Sequence, residues 1–392
     1  MQPQDHRRGT TRRTLLAGAG AALLLGGAGC ASPAQRGITS RQRLRLIGET
    51  RLPQRLAFKG TTVGGLSGLD YDPGADVWYV LSDDRSELQP ARFYTLRLAL
   101  GSDRIEPPEL LDVVTLRQPD GSAFAGRTRS GNASPATGAE VPDPESIRFV
   151  PATRTLLWTS EGDARLGLDP FVREAELDGR HRRAFRLPGL FKMDPGRRSG
   201  PRDNLTFEGL ALTPDGAGAW VAMEAALLQD GPVPAAGRPG GPCRFTLFDL
   251  DQGQAVRQIA YGPDAIPQPP SPAGAYADNG VSEILMLDAH RLLVLERAYM
   301  SGVGNSLRLY QIDTREASDT LALPALHSGN HRPAPKTLVA DFSSLGLSRL
   351  DNTEGMTWGP RLPDGRRTLV VVSDDNFNPG QITQFAAFEF FD

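Results

Sequence analysis

One pattern constrains this chain more than any other: a short strand, a turn and a second short strand, with an acid closing the second. The most regular copy is Phe207-Glu208-Gly209-Leu210-Ala211-Leu212, then Pro214-Asp215-Gly216, then Trp220-Val221-Ala222-Met223-Glu224. Four more copies align with it. Ser67 to Tyr71 leads to Asp83, Glu145 to Phe149 to Glu161, Ser282 to Met286 to Glu296, and Glu354 to Trp358 to Asp374. Their lengths differ only in the turn, where extra residues are tolerated at low cost. Self-similarity at a period of this size predicts a repeat architecture.

A second, less regular strand pair follows each copy, as in Arg92 to Leu98 with Leu111 to Leu116. Each module then holds about four strands, the size of a propeller blade. The last module offers only three, ending with Gln381 to Phe390. The stretch Leu44 to Thr50 supplies a spare strand at the other end of the chain. Placed as the missing outer strand, it closes the ring and removes two exposed edges. The expected fold is all-β: a β-propeller of five four-stranded blades closed by an N-terminal strand. The irregular inserts leave room for a sixth blade. Leu69 and Tyr71, Ile147 and Phe149, Leu210 and Leu212, Ile284 and Met286, and Met356 and Trp358 alternate onto one face and read as core between blades. Glu174 and Glu316 read as surface acids.

The first thirty residues read as an address. Arg12-Arg13 precedes an apolar run from Leu15 to Ala28, a twin-arginine export pattern. Gly27-Ala28-Gly29-Cys30 resembles a lipoprotein cleavage box, with simple cleavage near Ala31 as the alternative. Residues 31–42 read as a linker and 43–392 as the propeller domain. The expected location is the periplasm, or the outer side of the inner membrane by a lipid anchor, the only membrane attachment expected. The chain carries a formal charge of −3, and the leader holds Arg7, Arg8, Arg12 and Arg13 against Asp5. The remainder is more acidic still, which argues against a nucleic-acid partner. Cys30 and Cys243 are the two cysteines, so the domain is expected to have no disulfide.

Hairpin geometry carries the acids to one face. Glu145, Glu208 and Glu354 open first strands; Asp83, Glu161, Glu224, Glu296 and Asp374 close second strands. Glu283 stands one residue out of phase, with Ser282 in the aligned slot. Inner strands line a propeller's channel, so these carboxylates converge on its mouth. Crowded like charges resist ionisation. A divalent cation with oxygen ligands relieves that, and calcium suits clustered carboxylates. Ordinary solvated strand ends are the alternative. Arg85 and Arg297 flank the acids and either hold substrate oxygens or pair with their neighbours. Asn204 and Asn352 precede repeat starts and either face substrate or make turns. No Gly-x-Ser-x-Gly elbow occurs, the five histidines show no zinc spacing, and no glycine-rich phosphate loop follows a strand.

Gly64 to Leu69, Ser82 to Arg85, Pro144 to Ile147, Phe207 to Leu210, Ser282 to Arg297 and Asp351 to Asn376 carry a resemblance. In these stretches the chain resembles the esterase-like phytase family of exported bacterial proteins. It is more distantly similar to calcium-dependent propeller phytases. The resemblance implies a propeller and the hydrolysis of phosphate or related esters. The expected partner is a small anionic or ester substrate, met by a monomer. A non-catalytic binding propeller and a metal-assisted carboxyl esterase or lactonase are the competing readings.

Overall fold

The computed structural model describes residues 43–126 and 140–392. The expected leader, Cys30 and the whole of the expected linker lie outside the described residues. Among the described residues no helix is long and apolar enough to cross a membrane.

Twenty-two strands follow one another. The first three are β1 (Leu44–Arg51) and a small hairpin, β2 (Leu56–Phe58) and β3 (Thr61–Val63). The first blade is β4 (Leu66–Asp72), β5 (Val77–Ser82), β6 (Arg92–Arg97) and β7 (Glu109–Thr115). The second is β8 (Pro144–Val150), β9 (Thr155–Ser160), β10 (Phe171–Glu176) and β11 (His181–Ala184). The third is β12 (Phe207–Leu212), β13 (Gly218–Met223), β14 (Cys243–Asp249) and β15 (Gln254–Tyr261). The fourth is β16 (Ala277–Met286), β17 (Arg291–Met300), β18 (Gly304–Asp313) and β19 (Lys336–Asp341). The fifth is β20 (Asn352–Trp358), β21 (Arg367–Asp374) and β22 (Gln384–Phe390), with β1 as its outer strand. The fold is a five-bladed β-propeller, and the inserts form no sixth blade among the described residues.

The blades pack through apolar faces. Leu69, Ile147, Phe149, Leu210, Ile284, Met286 and Met356 are buried as their alternation predicts. They join clusters such as Tyr79–Phe93–Phe149 between the first two blades and Leu295–Met356–Phe388 between the last two. The inner strands β4, β8, β12, β16 and β20 contact one another in a closed cycle. That approach is close. A Cβ on Gly68 would lie 2.7 Å from the Glu145 carbonyl oxygen, and one on Gly209 2.9 Å from the Ile284 nitrogen. Glu174 corrects the surface reading. It is buried, accepts from Thr155 and pairs with Arg183 at 2.6 Å.

The channel is bridged by a buried ion pair. Arg148 donates to the carbonyls of Leu69 at 2.8 Å, Ile147 at 2.9 Å, Ile284 at 3.2 Å and Met356 at 3.0 Å. It lies 2.8 Å from Glu283, which accepts from Ser146 Oγ at 2.9 Å and the Leu210 amide at 2.8 Å. All five blades meet at this pair. Burial pushes the Glu283 carboxyl up to about 7, against the pull of Arg148. Glu283→Ala should leave a buried guanidinium without its counter-charge and lower stability by about 3–5 kcal/mol. Arg148→Met combined with Glu283→Leu should recover part of that loss in a denaturant melt. A Glu283→Ala loss under about 1 kcal/mol would show the pair to be dispensable.

Ring closure is equally explicit. β1 runs antiparallel to β22 from Leu44 opposite Phe390 to Arg51 opposite Gln384. Leu44 and Ile47 are buried beneath it. A chain beginning after Thr50 should lose about 3–6 kcal/mol from these two side chains and aggregate through the bared edge of β22. A chain beginning after Ser32 should melt like the full protein in the same calorimetric scan.

Candidate functional site

Each first strand carries one extra residue near its start. The register shifts between Leu66 and Gly68, Pro144 and Ile147, Phe207 and Gly209, Val281 and Glu283, and Thr353 and Gly355. These β-bulges leave Ser67, Glu145 with Ser146, Glu208, Ser282 and Glu354 out of the ladder. A bulge bends its strand and re-aims a side chain. The aligned opening slot of the repeat is thus a bulge in every blade.

The bulge also fixes the opposite strand. Leu66 pairs with Ser82, Pro144 with Ser160, Phe207 with Met223, Val281 with Glu296 and Thr353 with Ser373. The residue after each is Asp83, Glu161, Glu224, Arg297 and Asp374. Arg297, not Glu296, therefore fills the fourth blade's slot. Glu296 is engaged elsewhere. It accepts from Tyr261 at 2.6 Å, the Asp264 amide at 3.0 Å and Asn279 at 2.9 Å, and pairs with Lys336 at 2.5 Å.

The remaining residues surround a cavity of about 860 Å³ at the channel mouth. Asp83, Glu145, Glu208, Glu224, Glu354, Arg85, Arg297, Asn204 and Asn352 all line it. Glu161 and Asp374 lie behind that wall, buried to 1% and 0% exposure. Asn352 donates to Glu354 at 2.8 Å and to Asp374 at 3.3 Å, so it orients two acids. Arg85 donates to Asp143 at 2.7 Å and also to Asn204, which engages both side chains within the wall. Arg297 differs. It stands 3.5 Å from Glu224, 3.6 Å from Asp278 and 3.8 Å from Glu354, and its buried Nε has no hydrogen-bond partner.

Two acidic triads share one member. Asp143, Glu145 and Glu161 offer oxygens all within 4.8 Å of one another, and so do Glu161, Glu208 and Glu224. Glu161 accepts from the Thr206 amide through Oε1, while its buried Oε2 has no hydrogen-bond partner. A buried carboxylate oxygen left bare is costly in a dry protein. A cation smaller than a water molecule fits such a place, and hard oxygen donors suit calcium or magnesium. The residues present therefore fit a divalent metal.

The electrostatics agree. Burial first, then neighbouring carboxylates, holds Glu145, Glu161, Glu208, Asp83 and Asp374 well above the usual carboxylate range. Burial raises Glu354 and pushes Glu224 up to about 8, both against Arg297. It pushes Asp143 up to about 7 against Arg85. Sequence reasoning missed Asp143, Tyr276 and Asp278. Asp143 was legible as a second acid two residues before Glu145. Tyr276 and Asp278 lie upstream of the repeat's aligned start.

A five-bladed propeller with an acid-walled, metal-competent mouth is the class that the fold and site define. The chain belongs to the phytase-like family described as "esterase-like activity of phytase", whose model matches residues 61–377. No curated protein matches the chain at a significant level. Among solved structures, a hypothetical protein from Leishmania major is similar at 10% identity and TM-score 0.42, covering 87% of this chain and 91% of its own. The periplasmic gluconolactonase of Pseudomonas aeruginosa gives 15% and 0.33, covering 87% and 88%. An α-L-arabinofuranosidase catalytic domain from Coprinopsis cinerea gives 10% and 0.39, covering 89% and 98%. Likenesses this distant say nothing about chemistry.

The raised carboxyls have a consequence for the metal-free protein. Unfolded, these groups lose their protons near pH 4; folded, Asp143 and Glu224 keep theirs to about 7 and 8. The native state binds more protons across that window, so its stability falls as pH rises through it. In chelator, the melting temperature should drop by about 5 °C or more between pH 5 and pH 8.5. A flat or rising profile would contradict the burial of these acids.

Proposed function

We propose that this protein is a divalent-cation-dependent hydrolase of phosphate or related esters, with calcium as the cation. The observation that carries the reading is the unpartnered buried oxygen of Glu161, shared between two acidic triads. Asp143, Glu145, Glu161, Glu208 and Glu224 would hold the cation, with Asp83 and Glu354 completing the acidic wall and Asp374 buried behind it. Bound there, it would neutralise part of that wall and polarise a substrate oxygen. Arg297 would take an oxygen of the bound ester, since it lines the cavity and stands no closer than 3.5 Å to its acidic neighbours Glu224, Asp278 and Glu354. Arg85, clamped by Asp143 and Asn204, holds Asp143 in place. Asn352 holds Glu354 and Asp374.

The family description supports ester chemistry in general, and a carboxyl ester would use the same Arg297 and the same wall. The substrate is a small anionic ester. The twin-arginine leader expected from the sequence would deliver the domain to the periplasm, and the closed ring favours a monomer.

Released phosphate from phytate and from an aryl phosphate, beside a panel of carboxyl esters, with calcium and with chelator, tests the reading. Turnover should require the cation; no turnover with any divalent metal would sink it. Glu208→Gln and Glu224→Gln should each cut the calcium-induced rise in melting temperature by at least about half. The exposed acids Glu109 and Glu316 should change it little when altered, since surface substitutions stay within about 0.5 kcal/mol. Ring variants that behave like these controls would reduce the acids to structural residues.

A further inference from the structure

The fourth blade departs from the others at the mouth. Its strands β16, β17 and β18 run to ten residues each, against eight at most elsewhere. Four ladder pairs, Ala277 with Met300 to Gly280 with Arg297, extend beyond the pair that precedes the bulge. The fifth blade has one such pair, Asn352 with Asp374. At about 3.3 Å per residue the fourth blade's hairpin therefore runs about 10 Å past the fifth blade's and about 13 Å past the others'.

The tip of this extension is apolar and exposed. Tyr276 is 65% exposed, Val303 44% and Tyr299 37%, and these are half of the six exposed large hydrophobic residues among those described. All three line the main cavity. The two rings lie 6.3 Å apart at 35°. Asp278 fixes them to the site. It accepts from the Tyr276 hydroxyl at 2.7 Å and the Tyr299 amide at 2.8 Å, and stands 3.6 Å from Arg297. Beside Tyr299 in the ladder, Asn305 also lines the cavity, and its buried amide oxygen has no hydrogen-bond partner. Exposed aromatic side chains that line a cavity offer apolar area for a ring.

We infer that Tyr276, Tyr299 and Val303 form a subsite for a flat ring in the alcohol part of the ester. This rests on the hydrolase reading above and narrows its substrate to a monoester carrying one anionic group and a ring. The anionic group meets Arg297; the ring lies on the tyrosines. The acids of the cavity wall outnumber its arginines, which disfavours a compact polyanion at the same place.

Equilibrium binding separates this from turnover. Phenylphosphonate and methylphosphonate are titrated calorimetrically into the full protein in calcium. Phenylphosphonate should bind about tenfold more tightly. Tyr276→Ala and Tyr299→Ala should each remove most of that preference, while Tyr276→Phe keeps it. Equal affinities, absent binding of both, or a preference that survives both alanine variants would overturn the subsite. A ring preference without hydrolysis of any ester would leave the subsite standing and remove the hydrolase reading. Hydrolysis without a ring preference would do the reverse.

Discussion

The Arg148–Glu283 pair is the interaction on which the ring depends. Five blades give five inner strands whose backbones converge on one axis, and each brings carbonyl or amide groups that water cannot reach. One guanidinium and one carboxylate answer groups from all five. The guanidinium suits this because its donors fan out in a plane, which a lysine could not match. A buried charge pair need not add net stability over an apolar plug of the same shape. The pair reaches groups of all five blades only when the blades stand in this order and at this spacing. It also bridges the channel and separates the acidic mouth from the opposite face.

Above that bridge the site is a product of register. The same bulge recurs in every blade, and the residue it lifts out of the ladder is an acid in three blades, joined by Ser146 in the second, and a serine in two. The partner strand then contributes the next position, an acid in four blades and Arg297 in the fourth blade. A repeat can therefore keep its backbone and vary its chemistry one side chain at a time. The repeated geometry concentrates charge where burial opposes it, and Glu161 ends with an oxygen that no protein donor reaches.

Much of this was legible in the residues and some was not. Hairpin spacing predicts the five blades, the outer strand from Leu44 and the gathering of Asp83, Glu145, Glu208, Glu224 and Glu354 at one mouth. It misplaces Glu296 because an acid adjacent to an arginine looks like the repeat's closing acid. Only the ladder shows that the bulge at Ser282 shifts the slot to Arg297. Glu283, out of phase in the alignment, belongs to the central bridge. Its partner Arg148 carries no sequence mark, since a strand arginine normally reads as solvated. Glu174 fails for the same reason in reverse: alternation assigns a face, but the neighbouring strand and its arginines decide burial. The extension of the fourth blade lies outside the repeat and so escapes any reading anchored on it.

We propose that the mouth is built around a cation beside Glu161. The most direct measurement is a crystal structure of the calcium-soaked protein with data collected for calcium's anomalous signal. The account predicts an anomalous peak at about 2.3–2.6 Å from a Glu161 oxygen, with ligands drawn from Asp143, Glu145, Glu208 and Glu224. A well-ordered mouth with no anomalous peak, in which Glu161 shares a proton with a neighbouring carboxylate, would contradict it.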